Sequence, residues 1–216
     1  MTQAETETPR QRYRAQVQEE IKQHAWEQIA TAGASALSLN AIAKQMGMSG
    51  PALYRYFANR DELITALIRD AYQSLADTIR AAVAEGADLR GLAQTMRTWA
   101  LADPQRYLLV YGTPIPGYEA PEDTTRITYE VMTMLLEAGG AEGLAALPPS
   151  PLQPHLAEHN GWAGARSGEP PTLHRALIFW TRLHGVLSLE IAGHFNGMGF
   201  DPAALYAAEV EAVAGS

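Results

Sequence analysis

Residues 39–58 read LNAIAKQMGMSGPALYRYFA, and this stretch decides the fold of the amino-terminal part of the chain. Two short helices pack at a steep angle only where small residues let their backbones approach, the turn accepts a positive φ, and apolar side chains fill the inner corner. Ala43 is the small residue in the middle of the first helix, Gly47 stands at the turn, and Ile42, Met48 and Leu53 supply the inner apolar positions. Phe57, one turn beyond Leu53, extends the same buried face. This is a helix-turn-helix pattern, with one helix expected over 39–46 and the second over 49–57.

The second helix turns a polar side away from that plug. Ser49 is a natural N-cap, and the helix amino terminus it opens attracts a phosphate. Arg55 reaches a guanine edge or a phosphate, while Tyr54 and Tyr56 carry hydroxyls suited to the DNA backbone and rings suited to a thymine methyl. Gly50 and Pro51 lie on the same surface, and Ser38, Lys44 and Arg60 flank it at positions fit for phosphate contacts. Arg10, Arg12 and Arg14 read as a basic arm ahead of the first long helix, either tracking the duplex backbone or minor groove or forming a solvated, disordered tail.

Outward from this motif nearly everything reads as helix. Upstream, Val17, Ile21, Ala25 and Ile29 recur every four residues up to Gly33. Downstream, Asn59 as N-cap with Glu62 three residues on opens a long helix marked by Leu63, Leu67, Ala71, Leu75 and Ile79, running to about Ala84. Further helices are expected over Leu89 to Ala102, Pro104 to Tyr111, Thr124 to Ala138 and Pro171 to Phe195. Asp201 followed by Pro202 then opens a terminal helix. No alternating run reads as a strand, so the fold class is all-α. Gly139 to Pro154 and Gly161 to Pro171 read as loops. The expected division is a disordered tail over 1–9, a DNA-binding domain over 10–60, a linking helix over 61–84 and a second domain over 85–216.

Composition narrows the chemistry. The 216 residues are 47% hydrophobic and 19% charged, enough apolar content for a packed core and too much for disorder throughout. No run reaches the length of uncharged apolar chain that spans a bilayer, and the acidic start has neither part of a secretory signal, so a cytoplasmic protein without a membrane partner is expected. With no cysteine, disulfides, thiolate nucleophiles and Cys-type zinc sites are excluded. The net charge of −8 weighs against nucleic acid only as an average. Pro9 to Arg60 holds seven basic and three acidic residues, whereas Ala71 to the end holds eight arginines and sixteen acids.

The run SLNAIAKQMGMSGPALYRYFANRDELITALI, residues 38–68, closely resembles the amino-terminal DNA-binding region of the TetR family of bacterial transcriptional regulators. The resemblance covers roughly Val17 to Ile68. One departure is Gly50, where many members carry a basic residue; this weakens a phosphate contact and leaves more to Arg55. FWTRLHGVLSLE, Phe179 to Glu190, is similar to the Trp and His-Gly signature of one branch of TetR carboxy-terminal domains. The resemblance implies a ligand-responsive dimer, most simply a repressor released from a pseudo-palindromic operator by a small molecule, with no cofactor and no enzymatic activity.

The second half offers ligand candidates without naming the ligand. Trp99, Tyr107, Tyr111, Met132, Phe179, Trp180 and His184 fall on its expected helices, and Trp180 and His184 share a face, although an aromatic stripe is more often core. Gly185 in mid-helix suggests close approach of another helix. His155 and His159 sit four apart beside Glu158, but a third metal ligand is not apparent and no metal is expected. The 171–195 helix is apolar on more than one side, so together with 201–213 it is expected to form half of a two-fold homodimer interface. The alternative is a helical enzyme or small-molecule carrier with a vestigial first domain.

Overall fold

The four-residue recurrence of Val17, Ile21, Ala25 and Ile29 becomes the buried face of a long helix, α1 (Pro9–Ala32), in a computed structural model that describes residues 8–119, 121–141, 147–163 and 169–214. After a 3-10 turn at Ala34–Ala36 come α2 (Leu39–Gln45), α3 (Gly50–Leu53), α4 (Arg60–Ala84), α5 (Leu89–Ala102) and α6 (Pro104–Tyr111). The chain continues through α7 (Glu122–Ala141), α8 (Leu152–Glu158), a second 3-10 turn at Gly161–Ala163, α9 (Pro170–Ile191) and α10 (Pro202–Ala214). Among the described residues there is no strand, and the class is all-α as expected.

Contacts divide the chain into two units, one drawn from Met1–Arg69 and Thr113–Ala120, the other from Asp70–Gly112 and Pro121–Ser216. The helix α4 is shared, up to Arg69 in unit 1 and from Asp70 in unit 2. Unit 1 buries the α1 stripe with Leu37, Leu39, Ile42, Leu53, Phe57, Leu63, Ile64 and Leu67. Its returning segment is tied down where the hydroxyls of Thr65 and Tyr118 are hydrogen-bonded at 3.0 Å. Unit 2 has its own core, in which Leu75 and Ile79 of α4 pack with Leu92 and Met96 of α5, Tyr107 of α6, Leu135 of α7, Phe179 and Leu183 of α9, and Tyr206 of α10.

Caps set the ends of these helices. Asp88 and Asp103 accept from the backbone N–H of Gly91 and Arg106 at 2.8 and 3.0 Å, opening α5 and α6. Asp201 accepts from Ala203 at 2.9 Å with Pro202 at the first position of α10, in line with the sequence reading.

Several expectations are corrected. Arg10, Arg12 and Arg14 lie inside α1 rather than on an arm ahead of it. The cause is a capping box, in which Thr8 Oγ1 accepts from Gln11 N while the Gln11 side chain accepts from Thr8 N, with Pro9 at the first helical position. Residues 1–7 of the expected tail lie outside the described residues. The second helix of the turn motif is only Gly50–Leu53, not 49–57: beyond it the backbone tightens, with Tyr56 N donating to Leu53 O at 2.8 Å, and Phe57 turns into the core.

In unit 2, α9 stops at Ile191 rather than Phe195. Gly193 adopts φ +76°, and the His194 and Gly193 amides donate back to Leu189 O and Glu190 O, a Schellman closure that satisfies the final carbonyls. The helix α7 runs through Gly139 and Gly140 to Ala141, so the expected loop begins later. Its other end is also helical, since α8 includes Pro154 in its first turn, where a missing N–H costs nothing. Residues 142–146 and 164–168 of the expected loops lie outside the described residues.

Candidate nucleic-acid interface and ring cluster

The turn between α2 and α3 is built as its residue types demand. Gly47 has φ +64°, and the amides of Gly47 and Met48 donate to Lys44 O and Ala43 O at 3.2 and 2.8 Å, closing α2. Ile42 and Leu53 are fully buried behind the turn and Met48 is half-buried. Ser38 caps α2, its Oγ accepting from Ala41 N at 3.4 Å while Gln28 holds its own amide. Ser49 occupies the N-cap position of α3, but its side chain makes no capping hydrogen bond.

Outside the plug, Ser49, Pro51, Tyr54 and Arg55 are exposed and Gly50 and Tyr56 are half-buried. A Cβ on Gly50 would meet only Asn40 Oδ1 at 3.6 Å, so the missing side chain is not imposed by crowding. Among the described residues, the side chains of Lys44, Arg55, Arg10 and Arg12 make no hydrogen bond or ion pair, leaving four cations on one unit uncommitted. Arg60 is different, because its guanidinium donates to Ala34 O and Ser35 O at 2.9 and 3.2 Å and so braces the 3-10 turn.

Arg14, one of the three arginines expected on an arm, reaches the far end of the same motif. Its guanidinium donates to Arg55 O at 2.9 Å and lies 5.3 Å from the centroid of the Tyr56 ring, while Gln18 Nε2 donates to Tyr56 O at 3.5 Å. These carbonyls follow a short helix and lack intrahelical partners, so a cation from α1 satisfies them and fixes the chain on either side of the Arg55 side chain.

Unit 2 gathers four of its seven candidate ligand residues. Tyr107 and Tyr111 of α6 meet Trp180 and His184 of α9, with ring centroids 4.2 Å apart for Tyr111 and His184 and 4.1 Å for Trp180 and His184. Tyr107 Oη is hydrogen-bonded to His184 Nδ1 at 3.0 Å and to Ser188 Oγ at 2.9 Å. Burial raises the Tyr107 and Tyr111 phenols above their ordinary pKa, and it lowers His184 to about 3, so the imidazole is neutral. Tyr111 Oη and His184 Nε2 are buried with no hydrogen-bond partner among the described residues.

The remaining candidates stand apart. Trp99 is buried, its Nε1 donating to Ser74 Oγ at 3.1 Å. Met132 belongs to a second apolar cluster with Leu136, Leu156 and Leu173, against which Trp180 also packs. Phe179 lines a small, partly open apolar pocket with Leu89, Leu135, Leu136, Thr172, Arg175 and Ala176. His155 and His159 stack at 4.1 Å, but His159 is bonded to His155 O through Nδ1, and no group of three metal-ligating side chains exists among the described residues.

Comparison with known proteins finds two family matches along the chain. Residues 21–67 match the family described as bacterial regulatory proteins, tetR family, and residues 89–213 match a tetracyclin repressor-like C-terminal domain. The chain belongs to the TetR family. The HTH-type transcriptional regulator Rv1816 of Mycobacterium tuberculosis is 34% identical over 212 residues, covering 91% of this chain and 90% of its own. The crystal structure of a protein described as a regulator, SCO4313, is 62% identical with a TM-score of 0.90, covering 97% of this chain and 100% of that one. The fatty acid degradation regulator FadR of Bacillus halodurans shares the fold, with a TM-score of 0.61 at 17% identity and coverage of 92% and 98%. This TetR family member is a transcriptional regulator with a helix-turn-helix DNA-binding domain.

Three features of the TetR chain escaped the sequence reading. The Thr8 to Gln11 spacing was a legible capping signal that moves the basic residues into α1. Arg175, in an apolar helix, is buried and donates to Val213 O at 2.9 Å, closing the end of α10. Arg97 and Glu190, 93 positions apart, form a largely buried ion pair at 2.5 Å, and no local pattern encodes such a pairing.

Proposed function

We propose that this regulator acts in the cytoplasm as a homodimeric repressor that leaves a pseudo-palindromic operator when a small molecule occupies unit 2. The observation that carries the DNA side is the Gly47 turn, which leaves Tyr54 and Arg55 exposed with Arg55 and Lys44 unpaired. In this reading Arg55 and Tyr54 reach base edges, and Ser38, Lys44, Ser49, Gly50, Pro51 and Tyr56 lie along the phosphates. Arg60 acts mainly by holding the 3-10 turn, with a phosphate contact secondary to that.

Dimerisation uses the outer faces of α9 and α10. Along α9, Gly185 and Leu189 are exposed, and along α10 Ala204, Ala207, Ala208 and Ala212 are exposed, an apolar surface of small residues suited to close helix packing. The close approach expected at Gly185 does not occur among the described residues, where nothing lies within 4 Å of an added Cβ. A partner helix fills that space. Two recognition helices about 34 Å apart then read two half-sites on one face of the duplex.

Ligand control is a population shift: the ligand favours a dimer whose recognition helices miss the two half-sites, and operator DNA must weaken ligand binding to the same degree. The test is to recover bound genomic fragments with the full chain, define the operator, and titrate it at several salt concentrations. Specific binding with a steep salt slope and loss of operator on ligand addition are expected. Ligand and operator binding independently of each other refute the control mechanism, and absence of any preferred fragment refutes the DNA reading.

A further inference from the structure

Buried polar atoms in folded proteins are almost all hydrogen-bonded, so two orphans on touching rings need a reason. Tyr107 is not one of them: its hydroxyl is engaged by both His184 Nδ1 and Ser188 Oγ, and those bonds hold the imidazole in place. That leaves His184 Nε2 and Tyr111 Oη, buried and unpartnered among the described residues, on rings whose centroids lie 4.2 Å apart. Trp180 closes on both, at 4.1 Å from His184 and 5.7 Å from Tyr111.

We propose that Tyr111 and His184 are the polar anchor of the effector site in unit 2, and that its ligand is an uncharged ring compound carrying a hydroxyl group. The proposal rests on the reading that unit 2 senses a small molecule, and it adds the ligand's chemistry. The two anchors differ in what they ask for. Tyr111 Oη donates or accepts, and His184 Nε2 does one or the other according to which ring nitrogen carries the proton. A hydroxyl serves either arrangement, because it gives one proton and accepts two. The flanking rings of Trp180 and Tyr111 suit a flat apolar body.

Charge is excluded by the surroundings. Burial alone lowers the His184 pKa, with no ionised neighbour contributing, and the neighbours acting on Tyr111 are Tyr72 and Tyr107. The ring contacts and hydrogen bonds that join Tyr107, Tyr111, Trp180 and His184 to one another, to Tyr72 and to Ser188 involve only uncharged groups. A carboxylate would therefore enter without a counter-ion, at the cost that isolated buried charges carry. A quaternary ammonium fares no better. It neither donates nor accepts a conventional hydrogen bond, so Tyr111 Oη and His184 Nε2 would stay unpaired beside it.

The test uses the full chain and three probes of one shape, β-naphthol, naphthalene and β-naphthoate, with tetramethylammonium as the cationic control, each titrated calorimetrically. β-Naphthol is expected to bind at least about tenfold more tightly than naphthalene or the anion. In Tyr111→Phe the ratio of β-naphthol to naphthalene affinity falls about tenfold, and His184→Phe has the same direction. Tyr111→Phe removes a hydroxyl that bonds nothing in the free protein, so its Tm stays at or above wild type. The proposal is overturned if naphthoate or tetramethylammonium binds as tightly as β-naphthol, if none of the probes binds, if both variants keep the wild-type ratio, or if Tyr111→Phe lowers the Tm. Operator affinity is measured alongside: a probe that binds as expected without releasing operator removes the sensing reading and leaves the site intact.

Discussion

The guanidinium of Arg14, in the second turn of α1, donates to the main-chain oxygen of Arg55 at 2.9 Å. In the proposed DNA reading Arg14 therefore acts through another residue, by fixing the backbone that carries the Arg55 side chain. A positioning role and a phosphate contact are separable by salt. Removing a phosphate contact lowers the slope of log affinity against log salt by about 1, whereas removing a brace lowers affinity and leaves the slope alone. Arg14→Ala is expected to weaken specific operator binding by about 1 kcal/mol at unchanged slope. A slope reduced by one charge would make Arg14 a phosphate ligand instead.

Arg55 and Lys44 are the complementary pair, exposed and unpaired among the described residues. Arg55→Ala is expected to cost about 1–3 kcal/mol and to relax preference at one operator position, as a base contact does. Lys44→Ala should weaken all duplexes alike and reduce the salt slope by about 1. Gel-shift titrations against operator variants at graded salt distinguish these outcomes. Equal losses on every sequence for Arg55→Ala would assign it to the backbone.

Gly47 is held at φ +64° with no neighbour within 4 Å of an added Cβ, so space is not what demands glycine there. The cost of Gly47→Ala is conformational, about 1–2 kcal/mol for a single left-handed residue. Thermal unfolding of the variant should show that loss, with DNA affinity falling in proportion as the angle between α2 and α3 relaxes. An unchanged Tm would mean that the turn accepts another geometry.

What could be read in advance follows from the range of the forces involved. The α1 stripe, the Gly47 turn and the Asp201–Pro202 cap were legible because each is a local pattern whose physics acts within a turn or two. The end of α9 was misplaced by four residues because Gly193 was not weighed as a closing glycine, the apolar spacing running across it from Ile191 to Phe195. The ring cluster was half legible. Trp180 and His184 share a face by spacing, but their meeting with Tyr107 and Tyr111 depends on the packing of α6 against α9 and appears in no window of sequence. Arg175 and the Arg97–Glu190 pair were invisible for the same reason, since the charge of a residue does not reveal whether a distant partner buries it.

The outer surface of α9 and α10 makes a quaternary prediction. Leu189 is 44% exposed, and Gly185 stands one turn before it on the same face. If a second copy covers both, Leu189→Asp places a charge, and Gly185→Trp a large ring, in the interface. Each should shift the dimer to monomer in sedimentation velocity at micromolar concentration while leaving the helical circular dichroism of the chain intact. Both variants remaining dimeric would place the interface elsewhere.

His184 also gives unit 2 a pH dependence whose sign can be worked out. Burial lowers its pKa from 6.5 to about 3, so between those values the unfolded chain binds a proton that the folded chain does not. Stability therefore rises with pH across that window and is lost as pH falls through it, at a slope approaching about 1.4 kcal/mol per pH unit. Carboxylates contribute in the same range, which makes the difference between wild type and His184→Gln the useful quantity. Below pH 6 the variant is expected to lose stability less steeply than wild type in denaturant titrations, the two curves converging as acid is added. Parallel curves from pH 7 to 4 would show that His184 is protonated in the folded protein, and its ring would then be a cation facing Trp180 and Tyr111.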